Sequence, residues 1–126
     1  MTNERSRILV VDDEPEILSL VADIFTPSGY EVTTVTAASE ALMLVQTAAP
    51  DVILLDIGMP DMDGLTALQR LRVLQPNVPV VMLTGNTDEE TGRTALRWGA
   101  FDYVCKPFTA AHLEWVVEAA VVHRGH

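Results

Sequence analysis

What the chain has little of narrows it first. Of its 126 residues, one is cysteine (Cys105), one is lysine (Lys106), and only 8 are Lys or Arg against 18 acids, a formal charge of -10. A single cysteine excludes an internal disulfide framework and a cysteine-based zinc cluster, and it suits a reducing compartment. So few basic residues argue against direct binding to nucleic acid or to an anionic membrane, because the phosphate-driven part of such binding needs clustered Lys and Arg. No apolar run reaches the roughly 18 residues of a membrane span, and the opening MTNERSR has no signal-peptide core; a cytoplasmic domain is expected. The three histidines, His112, His123 and His126, lie near the C-terminus without metal-ligand spacing.

What is present is 48% apolar composition in a length that suits one domain with one core. Short β-branched runs alternate with amphipathic stretches. Strands are predicted at 7–11, 31–35, 51–56, 78–84 and 102–105, and the apolar runs at 7–11 and 51–56 are those of strands buried on both faces of a parallel sheet. Helices are predicted from Pro15 to about Phe25, from a Ser39 cap to about Ala48, after Gly64 to about Leu74, over 88–98, and over 109–123. Their expected core stripes are Ile17, Leu18, Val21, Ile24 and Phe25; Ala41, Leu42, Leu44 and Val45; Leu65, Leu68, Leu71 and Leu74; and, in the last helix, Leu113, Val116, Val117, Ala120 and Val121. The fourth helix is the least apolar and contains Gly92, so mobility is expected there. The fold class is α/β: a doubly wound five-stranded parallel sheet, order 2-1-3-4-5, flanked by five helices. Residues 1–6 are expected to be a flexible N-terminus, 7–123 the domain and 124–126 a tail.

In such a sheet the functional edge is the carboxyl one, beside the reversal of strand order. The first strand ends in Asp12-Asp13-Glu14, the third in Asp56, the fourth in Thr84 and the fifth in Cys105-Lys106-Pro107. Clustered carboxylates raise one another's pKa unless a cation neutralises them, and oxygen ligands with room for water suit Mg2+. Asp56, central among them, could keep one oxygen on the metal and use the other as a nucleophile, forming an acyl phosphate. Thr84 could donate to a phosphoryl oxygen and Lys106 pair with another.

With VVDDE at 10–14, LLDIGMPDMDG at 54–64, Thr84-Gly85 and GAFDYVCKPF at 99–108, the chain resembles response-regulator receiver domains, which are CheY-like and flavodoxin-like in fold, over essentially all of 7–122. The resemblance implies that Asp56 accepts a phosphoryl group from a sensor histidine kinase or a histidine phosphotransfer protein. It implies Mg2+ bound by Asp13 directly, by Asp12 largely through water, by Asp56 and by the Gly58 carbonyl, and a Lys106 that contacts the phosphoryl group across a cis Lys106–Pro107 bond. Thr84 and Tyr103 would be a switch pair reshaping the surface of the fourth helix, fifth strand and fifth helix, which could serve an output domain or a homodimer. Gly58 and Asn86 would modulate phosphate lifetime, a side-chain-free Gly58 favouring a short one. Pro15, Ile17 and Phe108 would lie where the phosphodonor docks.

Blander readings stand beside these. An Asp-Asp pair alone is commonly a helix cap and a solvated acid, and Tyr103 could be a static edge aromatic. Cys105 reads as a buried small hydrophobe. Trp115 lies off its helix's stripe, on an output face or in a half-buried packing role. Asp61-Met62-Asp63-Gly64 is not a calcium loop, since the flanking ligand positions hold Met59 and Arg70; Asp61 or Asp63 is expected to start the third helix. A receiver-like module that binds partners without phosphorylation is the alternative function, disfavoured by the complete acid, threonine and lysine set. An aspartyl-nucleophile phosphatase would need an acid where Gly58 stands, so no activity beyond the protein's own phosphorylation and dephosphorylation is expected. With no effector signature read after the last helix, two expectations stand, a stand-alone regulator or a receiver cut from a longer protein, the second being preferred.

Overall fold

The computed structural model describes residues 6–85 and 89–124. Its elements run β1 (Arg7–Val11), α1 (Pro15–Phe25), β2 (Glu31–Val35), α2 (Ala38–Thr47), β3 (Val52–Asp56), α3 (Gly64–Leu74), β4 (Val80–Thr84), α4 (Glu89–Arg97), β5 (Asp102–Cys105) and α5 (Ala110–Arg124). The strands form one sheet in the order β2-β1-β3-β4-β5, every neighbouring pair parallel. No helix among the described residues is long and apolar enough to cross a membrane.

Side-chain alternation divides the core. Ile8, Val10, Val52, Leu54, Val81 and Leu83 point to the face covered by α1 and α5, where Val21, Phe25, Leu113, Val116 and Val117 meet them. Leu9, Val11, Ile53, Leu55, Val80 and Met82 point to the other face, under α2, α3 and α4. This is why β3 and β4 are buried along their whole length and read as unbroken apolar runs.

Three expectations are corrected. The α3 stripe is Gly64, Ala67, Leu68 and Leu71, while Leu74 is exposed, because successive steps of three residues fall 60° behind per step on a 3.6-residue helix. On α2 the buried residues are Ala38, Ala41 and Val45; Leu44 is exposed beside Thr33 at the open β2 edge. β4 begins at Val80, not 78, since Val78 closes a turn onto the Gln75 carbonyl and Pro79 has no N–H for a ladder.

The start of α2 is also different. Ser39 lies inside the helix and does not cap it; the Asp61 carboxylate, from the loop after β3, accepts the Ala38 N–H at 3.1 Å and the Ser39 N–H at 3.0 Å. Asp61 therefore starts α2, and Asp63 is the residue at the start of α3, accepting from Thr66 at 3.4 Å. The Ser39 N–H bond holds the Asp61 carboxyl below its ordinary value of 3.8 against the opposing effect of burial, with the Ala38 N–H adding to the lowering. A depressed folded pKa gives stability that is present above the unfolded value and lost as pH falls through the folded one. Asp61→Ala should therefore cost about 1 kcal/mol at neutral pH. Thermal melts of the two proteins should begin to converge as pH falls below about 4; a gap that did not narrow with further acidification would rule out the charged cap.

Candidate functional site

Backbone ladder bonds continue past the strand ends and set the site. Asp12 N–H donates to the Val35 carbonyl at 3.1 Å, Ile57 N–H to Leu83 at 3.0 Å and Lys106 N–H to Thr84 at 2.7 Å. The residues after β1, β3 and β5 are thus carried to one edge. The edge lies beside β1, where the chain reverses its direction of travel across the sheet.

Asp12, Asp13 and Asp56 come together there, each offering a carboxylate oxygen within 4.8 Å of the others. Asp12 is fully buried, Asp56 is 7% exposed, and Asp13 faces solvent. Asp56 Oδ1 accepts the Gly58 N–H at 3.1 Å, and Asp12 Oδ1 accepts the Glu14 N–H at 2.9 Å. Burial, with the charges of Asp12 and Asp13, pushes the Asp56 carboxyl above its ordinary range against the pull of the Gly58 N–H and of Lys106.

Lys106 is the cation of this cluster. Its Nζ lies 2.7 Å from Glu14 Oε1, 2.9 Å from Asp12 Oδ2 and 3.5 Å from Asp56 Oδ1. Burial opposes its charge, but the hydrogen bond to Glu14 and the attraction of Asp12 and Asp56 outweigh it and hold the ammonium above the usual lysine range. The 2.9 Å approach to Asp12 is an ion pair rather than a well-angled hydrogen bond, so the buried Asp12 Oδ2 keeps unused acceptor capacity. The Lys106–Pro107 peptide is cis.

Thr84 is fully buried at the end of β4, its hydroxyl 3.5 Å from Cys105 Sγ. Cys105 itself is exposed, contrary to the expectation of a buried hydrophobe. β5 is an edge strand, and alternation sends Val104 into the core and leaves Cys105 beyond it. Tyr103 is half-buried, packed against the α2–α3–α4 side of the core. Ile17 and Phe108 are partly buried on the opposite side, against the α1–α5 cluster. Trp115 is 67% exposed and stacks on His112 at 6.5 Å. Asn86 lies outside the described residues, as do residues 1–5 and His126.

Two residues at or near the site were undervalued by sequence reasoning. Glu14 stood in the acidic run with no role, yet it makes the shortest contact to Lys106. Gly92 was read only as a source of mobility, whereas it is buried against another side chain. The position of Glu14 at the head of α1, after two site acids, was the available signal; for Gly92 there was none, since its neighbour is on another element.

Fold and site together define a flavodoxin-like α/β protein with an acidic, lysine-bridged crevice at the switch point of its sheet. A family model described as the response regulator receiver domain matches residues 8–118. The regulatory protein AtoC of Escherichia coli (strain K12) is 40% identical over 116 residues, 92% of this chain and 25% of AtoC. The crystal structure of the receiver domain of NtrX from Brucella abortus matches with a TM-score of 0.88 at 41% identity, over 91% of this chain and 98% of that one. A CheY-like receiver domain protein from Methanospirillum hungatei JF-1 matches with a TM-score of 0.91 at 30% identity, over 97% and 98% of the two chains. The chain belongs to the response regulator receiver domain family, and it is a receiver domain of the two-component type. It spans about a quarter of the length of AtoC and of the nitrogen assimilation regulatory protein NtrX from Azorhizobium caulinodans.

Proposed function

We propose that this domain, over 7–123, is a phosphoacceptor: Asp56 takes a phosphoryl group from a phosphohistidine on a sensor histidine kinase or histidine phosphotransfer protein. The observation that carries the reading is the placement of Asp56, nearly buried among Asp12, Asp13 and Lys106, with Oδ1 held by the Gly58 N–H. We assign Oδ2 as the nucleophile. It forms a bond to phosphorus as the bond to the donor imidazole nitrogen breaks, and the imidazole leaves with the electron pair.

Three carboxylates within 4.8 Å and an Asp12 oxygen with spare acceptor capacity fit a hard divalent cation. Asp12, Asp13, Asp56 and the Gly58 carbonyl would hold Mg2+, which when bound offsets the charge of the acids and of the incoming phosphoryl oxygens. Lys106 would exchange its contacts with Glu14 and Asp56 for a phosphoryl oxygen. Thr84 would turn its hydroxyl from Cys105 toward another, and the space released would favour the inward place of the Tyr103 ring over its alternatives. The new charge of about -2 thereby favours one of two packings of α4, β5 and α5. An output domain or a second copy of the chain would read that α4–β5–α5 surface. Gly58 leaves room beside the acceptor, since a Cβ there would come no closer than 3.9 Å to Asp56 Oδ1, and this supports a short phosphate lifetime.

The test is incubation with acetyl phosphate, with and without Mg2+, read by intact mass. The expected result is the gain of one phosphate that requires Mg2+, is absent in Asp56→Asn and decays well within hours once donor is removed. An unmodified chain under all donors would support the phosphorylation-independent interaction module instead.

A further inference from the structure

Away from the acidic crevice, α4 meets the sheet through an unusual contact. Its buried residues are Gly92 and Ala95, both small. Gly92 lies against the ring of Tyr103 on β5 so closely that a Cβ at position 92 would stand 2.7 Å from Cδ2, 2.8 Å from Cγ and 2.9 Å from Cε2. Cγ does not move when the ring turns about its own axis, so ring rotation alone cannot clear such a Cβ. Either Tyr103 leaves its place by rotating about χ1, or α4 lifts from the sheet. Glycine is a poor residue for a helix interior, and at this position the close approach of the ring explains it.

We propose that Gly92 is a positioning residue for Tyr103: the missing side chain makes the inward place of the ring available. It thereby sets how readily the domain adopts its phosphoryl-bound packing. The inference rests on the assignment of Thr84 and Tyr103 as the switch pair. Any side chain at 92 penalises the inward ring, and by linkage the same penalty weakens the ligand that favours that ring position. The place the ring occupies against Gly92 is the inward one: Tyr103 is half-buried there and packed against the α2–α3–α4 side of the core.

The experiment uses the full chain as wild type, Gly92→Ala, Tyr103→Ala and the double variant. Each is melted without ligand, then titrated with beryllofluoride and Mg2+ while Trp98 fluorescence is followed; Trp98 sits just after α4 and is 44% exposed. Gly92→Ala should lower Tm when Tyr103 is present. In the Tyr103→Ala background it should raise Tm, because alanine is the better helix former once no ring is in its way. It should weaken beryllofluoride binding about tenfold in the Tyr103 protein, as expected when the binding-competent population falls by that factor, and leave it unchanged in the Tyr103→Ala protein. A rise in Tm in both backgrounds, or wild-type-like beryllofluoride affinity in Gly92→Ala, would overturn the positioning role alone. A wild-type chain that binds no beryllofluoride would overturn the phosphoacceptor reading, and the positioning role with it.

Discussion

Lys106→Ala is expected to give a protein that is markedly less stable in chelator, recovers on adding Mg2+, and still takes up phosphate without switching. In the structure the ammonium, 17% exposed, is shared by Glu14, Asp12 and Asp56. Its removal leaves a fully buried Asp12 carboxylate facing Asp56 with no cation between them. Removing one partner of a buried pair costs about 3–5 kcal/mol, and the half-exposed Glu14 belongs at the low end of that range, so about 3 kcal/mol is expected. In a domain of this size that is a fall in Tm of about 10 °C. Mg2+ at the carboxylates restores the missing positive charge, so its stabilising effect should exceed that on wild type. The acceptor carboxylate is intact, and a mass gain from acetyl phosphate should persist. Partner affinity should stay near its unphosphorylated level, because no ammonium draws the phosphoryl group toward β5. A variant with wild-type Tm in chelator would contradict the ion-pair account; wild-type partner affinity in its phosphorylated form would contradict the role in switching.

The second large effect is expected at Gly64, the first residue of α3. Its N–H donates to the Ile57 carbonyl at 3.2 Å and closes the loop between β3 and α3. A Cβ on Gly64 would stand 2.6 Å from Ile57 Cα and 2.6 Å from its carbonyl oxygen, and these are backbone atoms that no rotamer change can move. Gly64→Ala must open the loop, at a cost of about 3 kcal/mol, the upper part of the range for overpacking. The same loop carries Gly58 and Asp61, so the N–H that holds Asp56 and the cap of α2 should both be disturbed. Chemical denaturation should show a large loss of stability, and Mg2+ titration a weaker site. Gly58→Ala is the control: its Cβ would meet nothing within 3.9 Å, and its stability should be near wild type. Equal stability of the two variants would show that the loop tolerates the displacement.

Much of the site could be read along the chain because it sits at strand ends. In a parallel sheet the ends of β1, β3, β4 and β5 share one edge by construction, so Asp12, Asp13, Asp56, Thr84 and Lys106 could be gathered from periodicity and topology alone. Contacts between side chains of different elements were not legible in this way. The acidic run 12–14 is plain in the sequence, yet that Glu14 rather than Asp56 is the nearest acid to Lys106 depends on the turn into α1. Asp61 sits two residues before Asp63, and local reasoning offered either of them to α3. The loop after β3 instead folds back toward α2, whose unpaired N–H groups accept whichever carboxylate arrives.

The sequence by itself determined the doubly wound α/β order, the division of each strand between two core faces, and the chemistry collected at the carboxyl edge. These follow from periods of two and 3.6 residues and from the right-handed crossover, which act along the chain. The tertiary structure alone decided which acid neutralises the single lysine, which helix Asp61 caps, and why a glycine stands in the middle of α4. Each of these is a matter of a few ångströms between segments distant in sequence, where close packing rather than local propensity sets the outcome.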